Sequence, residues 1–365
     1  PGLILNERLK SITSPEELAA TVKQIPLQSL GQPIDVANGV VYLASDDARY
    51  ITGTNLAIGG GLNYIVLYDT NTIEIVVIPE DIHLIWDIAC QRHCTPMLAI
   101  LLCTSRSLCC RIIDPRARIL GKVVLVTGSS SGIGEVTTKE FSRLGASVVI
   151  TGRKATDISR VAQEVQQLSP YKLKPLEIVA DLAKPEDVNR LVNETIKTFG
   201  KLDVLVNNAA VFYASAIDDK NLIEMFDRTM AVNLRAPLQL IQLAHPYLNA
   251  TNGSIINIGA VRVPSIVVRS IPAGVSKAGL DYSVKVLALA LGPRVRINAV
   301  DPGLILTEKL KSITSPEEIA AMAKQIPLQS MGQPIDVANG VVYLASDDAR
   351  YITGTNLVIG GGITN

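Results

Sequence analysis

Residues 122–134 read KVVLVTGSSSGIG, and this stretch decides the fold. Its first six residues are mostly β-branched and apolar, which is typical of a buried strand. The glycine-rich run from Gly128 to Gly134 then turns the chain into a helix. Glycines let the backbone approach a bound pyrophosphate, and the N-terminus of a helix offers N–H groups and the positive end of its dipole. The stretch therefore predicts a strand–turn–helix unit that binds a dinucleotide.

From Gly121 onward, apolar strand-like runs alternate with amphipathic helical ones, which predicts a parallel α/β sheet. The second strand, residues 147–151, is followed by Gly152, Arg153 and Lys154. An acidic residue near this point accepts a hydrogen bond from the ribose 2′-hydroxyl of NAD, whereas a cation suits a 2′-phosphate. Arg153 and Lys154, with donors from Ser130 and Ser131, favour NADP(H) over NAD(H). The alternative is that Arg153 is an ordinary solvated residue at the start of a helix.

The composition excludes several classes of function. The 365 residues contain 34 Lys and Arg and 34 Asp and Glu, so no net charge attracts nucleic acid or an anionic membrane. Aromatic residues make up only 4% of the chain, which argues against base stacking. No apolar run approaches the roughly 20 residues that span a bilayer, and no signal-peptide pattern follows Pro1. We expect a soluble, cytoplasmic protein.

The cysteines are confined to one part of the chain. Their odd number and clustering do not fit a disulfide framework. Cys90, His93 and Cys94 are close enough in sequence to share a metal ion, but their spacing matches no common zinc pattern. We therefore expect ordinary thiols and no metal, with a metal site as the alternative. The five residues are Cys90, Cys94, Cys103, Cys109 and Cys110.

The chain repeats itself: residues 1–61 recur as residues 302–362 with seven substitutions. Two copies so far apart do not form a solenoid, and they indicate that the tail of one gene copy is joined to a complete second copy. Each copy contains a capping box (at Ser14 and Ser315), a second helix and a short strand before three glycines. The N-terminal copy thus predicts helix, helix and strand with no sheet of its own.

Residues 63–118 show no sustained periodicity, and so long a stretch without clear elements suggests a linker or translated non-coding sequence. The predicted organisation is a duplicated segment at 1–62, a linker or unassigned insert at 63–118, and a nucleotide-binding domain at 119–365.

Several motifs between about residue 120 and the C-terminus resemble those of the classical short-chain dehydrogenase/reductase family. Residues 127–134 match TGxxxGxG, Asp181 ends the third strand, and residues 207–210 read NNAA where the family has NNAG. Pro302, Gly303 and Thr307 match the family's PG…T segment. The resemblance implies a doubly wound, Rossmann-type parallel sheet with strand order 3-2-1-4-5-6-7. It also implies hydride transfer between a nicotinamide and a carbonyl or alcohol, and a homo-oligomer, dimer or tetramer.

The resemblance further implies which residues hold the cofactor. They comprise the glycine-rich turn, the residues after the second, third and fourth strands, the lysine of the catalytic motif and the PG…T segment: Gly128, Ser130, Ser131, Gly132, Ile133, Gly134, Arg153, Lys154, Asp181, Leu182, Asn208, Ala209, Lys277, Pro302, Gly303 and Thr307.

The catalytic positions depart from the family's pattern. Asn233 and Lys277 match the family's Asn and Lys, but the Tyr position holds Ala273 and the Ser position holds Ala260. The two alanines keep the family's spacing of thirteen residues, so no insertion has moved the motif. The resemblance therefore implies a cofactor-binding homologue that is weakly active or inactive.

Other hydroxyl groups near these positions are poor replacements. Tyr282 lies five residues after Lys277 on the same predicted helix, and at about 100° per residue it points away from Lys277. Ser270 and Ser276 have alkyl hydroxyl groups, which are weak acids at neutral pH.

Two alternatives remain open for the activity. One is an active NADPH-dependent carbonyl or 3-oxoacyl reductase that uses a non-family proton donor; the short loop after Thr307 resembles the 3-oxoacyl-(acyl-carrier-protein) reductase type. The other is a non-enzymatic, cofactor-binding or oligomerising protein, or a fused gene product.

The repeat also suggests an interaction within the chain. In the family, the last strand and the helix before it usually meet their counterparts across a dimer axis. Residues 1–61 are therefore expected to dock on residues 302–362 of the same chain and to take the place of a partner subunit. The alternative is an undocked appendage with exposed apolar helices.

Overall fold

The computed structural model describes residues 2–6, 9–10, 13–61, 119–261 and 270–363. Two parts are present: a parallel α/β domain from residue 119 onward, and an N-terminal segment of helices that lies against the end of that domain. The cysteines, and with them the candidate metal ligands Cys90, His93 and Cys94, lie outside the described residues. Among the described residues, no group of His, Cys, Asp or Glu is arranged to hold a metal ion. In the described parts of the chain, no helix is long and apolar enough to cross a membrane.

The domain is built on seven parallel strands in the order β3-β2-β1-β4-β5-β6-β7, as the sequence resemblance implied. Strand β1 pairs in parallel with β2 on one side and with β4 on the other. The order of the strands along the sheet therefore reverses between β1 and β4. Five of the strands are largely buried apolar runs, which is expected where helices cover both faces. The strands are β1 Val123–Val126, β2 Ser147–Gly152, β3 Leu176–Val179, β4 Val204–Asn207, β5 Ser254–Ile258, β6 Arg296–Pro302 and β7 Asn356–Ile359.

Helices connect the strands and cover both faces of the sheet. Three of the family's catalytic positions lie in helical segments: Asn233 in a π-helical turn, Ala231–Arg235, and Ala273 and Lys277 in the long helix Ile271–Leu291. The helices are α1 Pro15–Val22, α2 Pro33–Leu43, α3 Gly132–Arg143, α4 Ala155–Leu168, α5 Pro185–Phe199, α6 Leu222–Met230, α7 Ala236–Thr251, α8 Ile271–Leu291, α9 Glu308–Ile313, α10 Pro316–Ala323 and α11 Pro334–Ala345.

Both predicted capping boxes are present, in α1 and in its counterpart α10. The Ser14 hydroxyl accepts from Glu17 N at 3.2 Å, and a Glu17 carboxylate oxygen accepts from Ser14 N at 2.9 Å. Ser315 and Glu318 repeat both bonds at the same distances. Each box satisfies backbone donors that the first turn of a helix cannot satisfy internally, so local sequence is enough to start the helix in either place.

The predicted strand of the N-terminal segment is wrong. Residues 356–359 form β7 because they pair in parallel with β6, for example Ala299 with Asn356. Residues 55–58 have nearly the same sequence but form no strand. Among the described residues, no strand lies beside residues 55–58 in the way that β6 lies beside β7. A strand needs a ladder of backbone hydrogen bonds, and the single bond from Gly2 N to the Ile58 carbonyl does not form one.

Candidate active site

The glycine-rich turn lies at the carboxyl end of β1 and is tied firmly to β4. The Thr127 hydroxyl accepts from the backbone N–H groups of Asn208, at 2.9 Å, and Ala209, at 3.0 Å. The Asn208 side-chain amide donates to the carbonyl oxygens of Thr127, at 2.8 Å, and Gly128, at 3.2 Å. These bonds hold together the ends of β1 and β4. The crevice between these two strands is the point at which the strand order reverses and at which open α/β sheets bind their ligands.

The turn packs closely against the residues that follow β4 because it lacks side chains where the two backbones meet. Gly128 has a φ of +63°, and a Cβ on it would lie 2.9 Å from the Ala209 Cα. A Cβ on Gly134 would collide with the Asn208 amide nitrogen and the Gly128 carbonyl. Helix α3 begins at Gly132, directly after Ser131, so its first N–H groups face the turn. This is the arrangement that binds a pyrophosphate.

A cleft of about 650 Å³ opens beside this turn. Eight of the residues predicted to hold the cofactor line it, from the turn and from the ends of β2, β3 and β4: Gly128, Ser130, Ser131, Arg153, Asp181, Leu182, Asn208 and Ala209. Arg153 is exposed and directly follows the last residue of β2. A cation is therefore present at the edge of the cleft where the second strand ends.

Eight predicted cofactor residues do not line this cleft. Ile133 packs against the core, Gly134 is buried in the turn, and Lys154 is exposed at the start of α4. Pro302 ends β6 and leads into Gly303. The remaining residues are Gly132, Lys277 and Thr307, and the Thr307 methyl carbon lies 3.7 Å from where a Cβ on Gly132 would stand.

Thr307 is held in place by the helix that it starts. Its hydroxyl accepts from Leu310 N at 3.3 Å and caps α9. The structure therefore brings the PG…T segment up to the glycine-rich turn, even though these residues do not line the cleft beside it.

The catalytic positions follow the end of β5 or lie in the first turns of α8. Ala260 follows β5, while Ala273 and Lys277 stand one turn apart on α8. The Lys277 ammonium donates to the carbonyl oxygen of Ile258, the last residue of β5. The lysine of the family motif is thus anchored to the strand that leads to Ala260, and the side chain of neither alanine can give a proton or a hydrogen bond.

Lys277 stands near a pair of buried carboxylates that the sequence did not reveal. A Cβ on Gly259 would overlap carboxylate oxygens of both Asp281 and Asp301, so these two side chains meet beneath Gly259. Asp301 also accepts from the Asn356 amide at 3.1 Å. Burial lowers the pKa of Lys277 to about 8, while Asp281 and Asp301 act in the opposite direction. Strand β6 and helix α8 bring the two acids together across 20 residues of sequence, which no local pattern reports.

Asn233 lies in a π-helical turn, Ala231–Arg235, a local distortion that often occurs at functional sites. Its amide oxygen accepts from Val211 N at 2.8 Å. Its amide nitrogen donates to the Val211 carbonyl at 3.0 Å and to the Ser276 hydroxyl at 3.1 Å. Asn233 therefore joins the loop after β4 to helix α8, one residue before Lys277.

The alternative hydroxyl groups are placed as the sequence predicted or are already engaged. Tyr282 is exposed on the outer face of α8. Ser270 is buried and donates to the Tyr213 carbonyl at 2.7 Å, and Ser276 donates to the Ala273 carbonyl at 2.8 Å.

Tyr213 was not predicted from the sequence as a residue of the site. This residue lies in the loop after β4 and lines the cleft together with Asn208 and Ala210. Its carbonyl accepts from Ser270 at the start of α8, so the loop is fixed beside the helix that carries Ala273. Its position three residues after the NNAA motif was the available signal, because residues that follow a strand's carboxyl end surround the cleft.

Comparisons with known proteins agree with this geometry. The family model described as enoyl-(acyl carrier protein) reductase matches residues 1–63 and 128–364. Glucose 1-dehydrogenase of Gluconobacter oxydans is 37% identical over 257 residues, which cover 68% of this chain and 93% of that protein. The 3-oxoacyl-(acyl-carrier-protein) reductase of Thermotoga maritima is 32% identical over 252 residues, 67% of this chain and 99% of that protein.

A solved structure leads to the same group of proteins. L-Sorbose reductase from Gluconobacter frateurii, complexed with NADPH and L-sorbose, superposes with a TM-score of 0.64 at 28% identity. The match covers 69% of this chain and 98% of the reductase. The strand order, the glycine-rich turn and these relatives together identify the chain as a member of the short-chain dehydrogenase/reductase family of NAD(P)-dependent oxidoreductases.

Proposed function

We propose that this chain binds NADP(H) in the cleft beside the glycine-rich turn and that its carbonyl-reducing activity is weak or lost. The cofactor, when bound, supplies the hydride. The chain's own part is to hold the pyrophosphate at the turn from Gly128 and at the first turn of α3, and to place the nicotinamide towards Lys277.

The preference for the phosphorylated cofactor rests on Arg153. Its guanidinium lies at the cleft edge after β2, and Ser130 and Ser131 line the same cleft. A planar guanidinium forms paired hydrogen bonds with a phosphate, which a ribose hydroxyl cannot match.

Fluorescence titration with NADPH and NADH tests this preference. Arg153→Glu is expected to weaken NADPH binding at least tenfold and to leave NADH binding nearly unchanged. Lys174→Glu is the control, because it makes the same change of charge at an exposed position. Lys174 precedes β3 and so lies at the end of the strands opposite to the cleft. Tighter binding of NADH than of NADPH by the unmodified chain would contradict the proposal.

The loss of activity rests on a single observation: Ala273 and Ala260 stand where a proton donor and a donor to the substrate oxygen are required. A positioned general acid is worth about 10²–10⁴ in rate, and a lost hydrogen bond to the developing oxyanion costs on the order of 10²–10³. Binding of the cofactor uses other residues, so the proposal separates the two properties.

Restoring both side chains tests that separation. Ala273→Tyr with Ala260→Ser is expected to raise the rate of NADPH oxidation with diketones or acetoacetyl thioesters by about 10²–10⁴. Val275→Tyr is the control, since it adds a phenol to an exposed position of the same helix and should give no gain. A family-like rate from the unmodified chain would overturn the loss of activity.

A second candidate, an active reductase with a different proton donor, is favoured by Tyr213. Its phenol belongs to a residue that lines the cleft, whereas Tyr282 is exposed on α8. If the unmodified chain turns over, Tyr213→Phe should abolish the activity and Tyr282→Phe should not.

A further inference from the structure

The N-terminal segment lies on the C-terminal part of its own chain, residues 303–361, and the contacts come in pairs. Arg49 Nε lies 2.7 Å from Oδ1 of Asp336, and Arg350 Nε lies 2.6 Å from Oδ1 of Asp35. Asp336 and Arg350 are the repeat counterparts of Asp35 and Arg49, each 301 positions further along the chain. The second ion pair is therefore the first with the roles of the two copies exchanged.

Two further contacts exchange in the same way. The Tyr50 hydroxyl donates to the Ser330 carbonyl at 3.1 Å, and the Tyr351 hydroxyl donates to the Ser29 carbonyl at 3.2 Å. The backbone N–H of Gly60 donates to the Tyr351 carbonyl at 3.0 Å, and that of Gly361 donates to the Tyr50 carbonyl at 3.0 Å.

A contact of a residue with its own counterpart lies at the centre. The rings of Tyr42 and Tyr343 stack with centroids 4.1 Å apart and planes 4° from parallel. Residues that face their own counterparts are found on a two-fold axis, and contacts that exchange are found on either side of it. The two copies are thus related by an approximate two-fold axis through this tyrosine pair.

An interface with this symmetry joins a surface to another copy of itself. We infer that the face formed by residues 303–361 is self-complementary, and that residues 2–61 occupy it in place of a second copy of this chain. The occupant is covalently attached, so its local concentration does not fall on dilution, and it excludes the same face of another molecule. This inference does not depend on cofactor binding or on catalysis.

The first experiment asks which chain supplies the occupant. Asp47 and Asn339 lie at the edge of the interface, where the Asn339 amide donates to an Asp47 carboxylate oxygen at 3.2 Å. Asp47→Cys with Asn339→Cys, in a chain whose five native cysteines are replaced by serine, is treated with a short bis-maleimide. Denaturing electrophoresis is expected to show a cross-link within one chain. A covalent dimer, or no cross-link, would overturn the inference.

The second experiment displaces the occupant without changing residues 303–361. Arg49→Asp places a carboxylate against Asp336, and Tyr50→Ala removes the hydrogen bond to the Ser330 carbonyl. Tyr42→Ala is added if the cross-link still forms. Once the cross-link is lost, light scattering should show twice the mass of the unmodified chain, because the freed face takes a second copy. An unchanged mass would overturn self-complementarity.

The matched control makes the equivalent changes on the other side. Arg350→Asp with Tyr351→Ala removes the counterpart contacts but damages the face itself, so the mass should not double. Circular dichroism checks that this variant folds, and Arg350→Asp alone replaces it if it does not. Doubling in the control as well would show that association uses another surface, which also contradicts the inference.

Discussion

The two copies of the repeated segment show what a nearly constant sequence does in two different environments. Both copies form the same pair of helices with the same capping boxes. Both also make the same local hydrogen bonds: Gly2 N donates to the Ile58 carbonyl at 2.7 Å, and Gly303 N donates to the Ile359 carbonyl at 2.9 Å. These particular interactions are thus independent of what surrounds the segment.

The copies differ where a contact must come from the rest of the domain. Helix α11 packs against α3 and the sheet, and Val341 and Leu344 are fully buried there. On α2, the equivalent side chains of Val40 and Leu43 are 37% and 41% exposed. The N-terminal copy therefore uses the face that meets the other copy and leaves its domain-facing side in solvent.

A large difference between the copies is expected when a side chain on that side of the helix is shortened. Leu344→Ala should lower the free energy of unfolding by about 2–5 kcal/mol, because it opens a cavity in a packed core. Leu43→Ala should lower it by about 0.5 kcal/mol or less, because the side chain is already partly in water. Urea denaturation of both variants gives the two values, and similar losses would mean that the N-terminal helix is also packed on this side.

The same distinction explains how much of the fold the sequence could predict. The glycine-rich turn, the capping boxes and the strand order of the domain were predictable because local patterns or the family resemblance determine them. The strand expected at residues 55–58 was wrong, because those residues carry the strand pattern but lack the neighbour that β6 provides to β7.

The candidate site shows a similar limit. The residues at the cleft were predictable since they follow the ends of successive strands, whose carboxyl ends meet at one edge. The carboxylates of Asp281 and Asp301 come from a helix and a strand that only the folded chain brings beneath Gly259. Tyr213 was missed because its role depends on the path of a loop.

A smaller effect, equal in both copies, is expected from the paired ion pairs. Both arginines are more than half exposed, whereas their carboxylate partners are buried. Arg49→Ala and Arg350→Ala should each lower the free energy of unfolding by about 1–2 kcal/mol, because each leaves a buried carboxylate with fewer hydrogen bonds. Urea denaturation of the two variants checks whether the losses agree. A loss in only one of them would show that the interface is not symmetric in energy.

Alkaline pH should weaken the same interface. Burial raises the pKa of Tyr351 to about 12, and burial also raises the pKa of Tyr50. An unfolded tyrosine has a pKa of about 10, so the folded state holds both protons more tightly. The stabilisation is complete below pH of about 10 and is lost as the pH rises towards about 12.

Tyrosinate absorbance measures this effect. In the folded protein, Tyr50 and Tyr351 should ionise at a higher pH than they do in the unfolded chain, and Tyr351→Phe should remove one late-ionising group. Ionisation of all tyrosines near pH of about 10 without unfolding would contradict the buried positions.

The smallest expected effect tests whether the outer side of α2 has any partner at all. Val40→Lys should change the free energy of unfolding by no more than about 0.5 kcal/mol, because a partly exposed lysine keeps its ammonium in water. Val341→Lys, at the counterpart position of α11, should prevent folding or cost several kcal/mol, since it buries a charge without a partner. Thermal and urea denaturation measure both. In the structure, Val341 of α11 is fully buried, whereas Val40 of α2 is partly exposed. A large loss from Val40→Lys would therefore mean that another surface covers this side of α2.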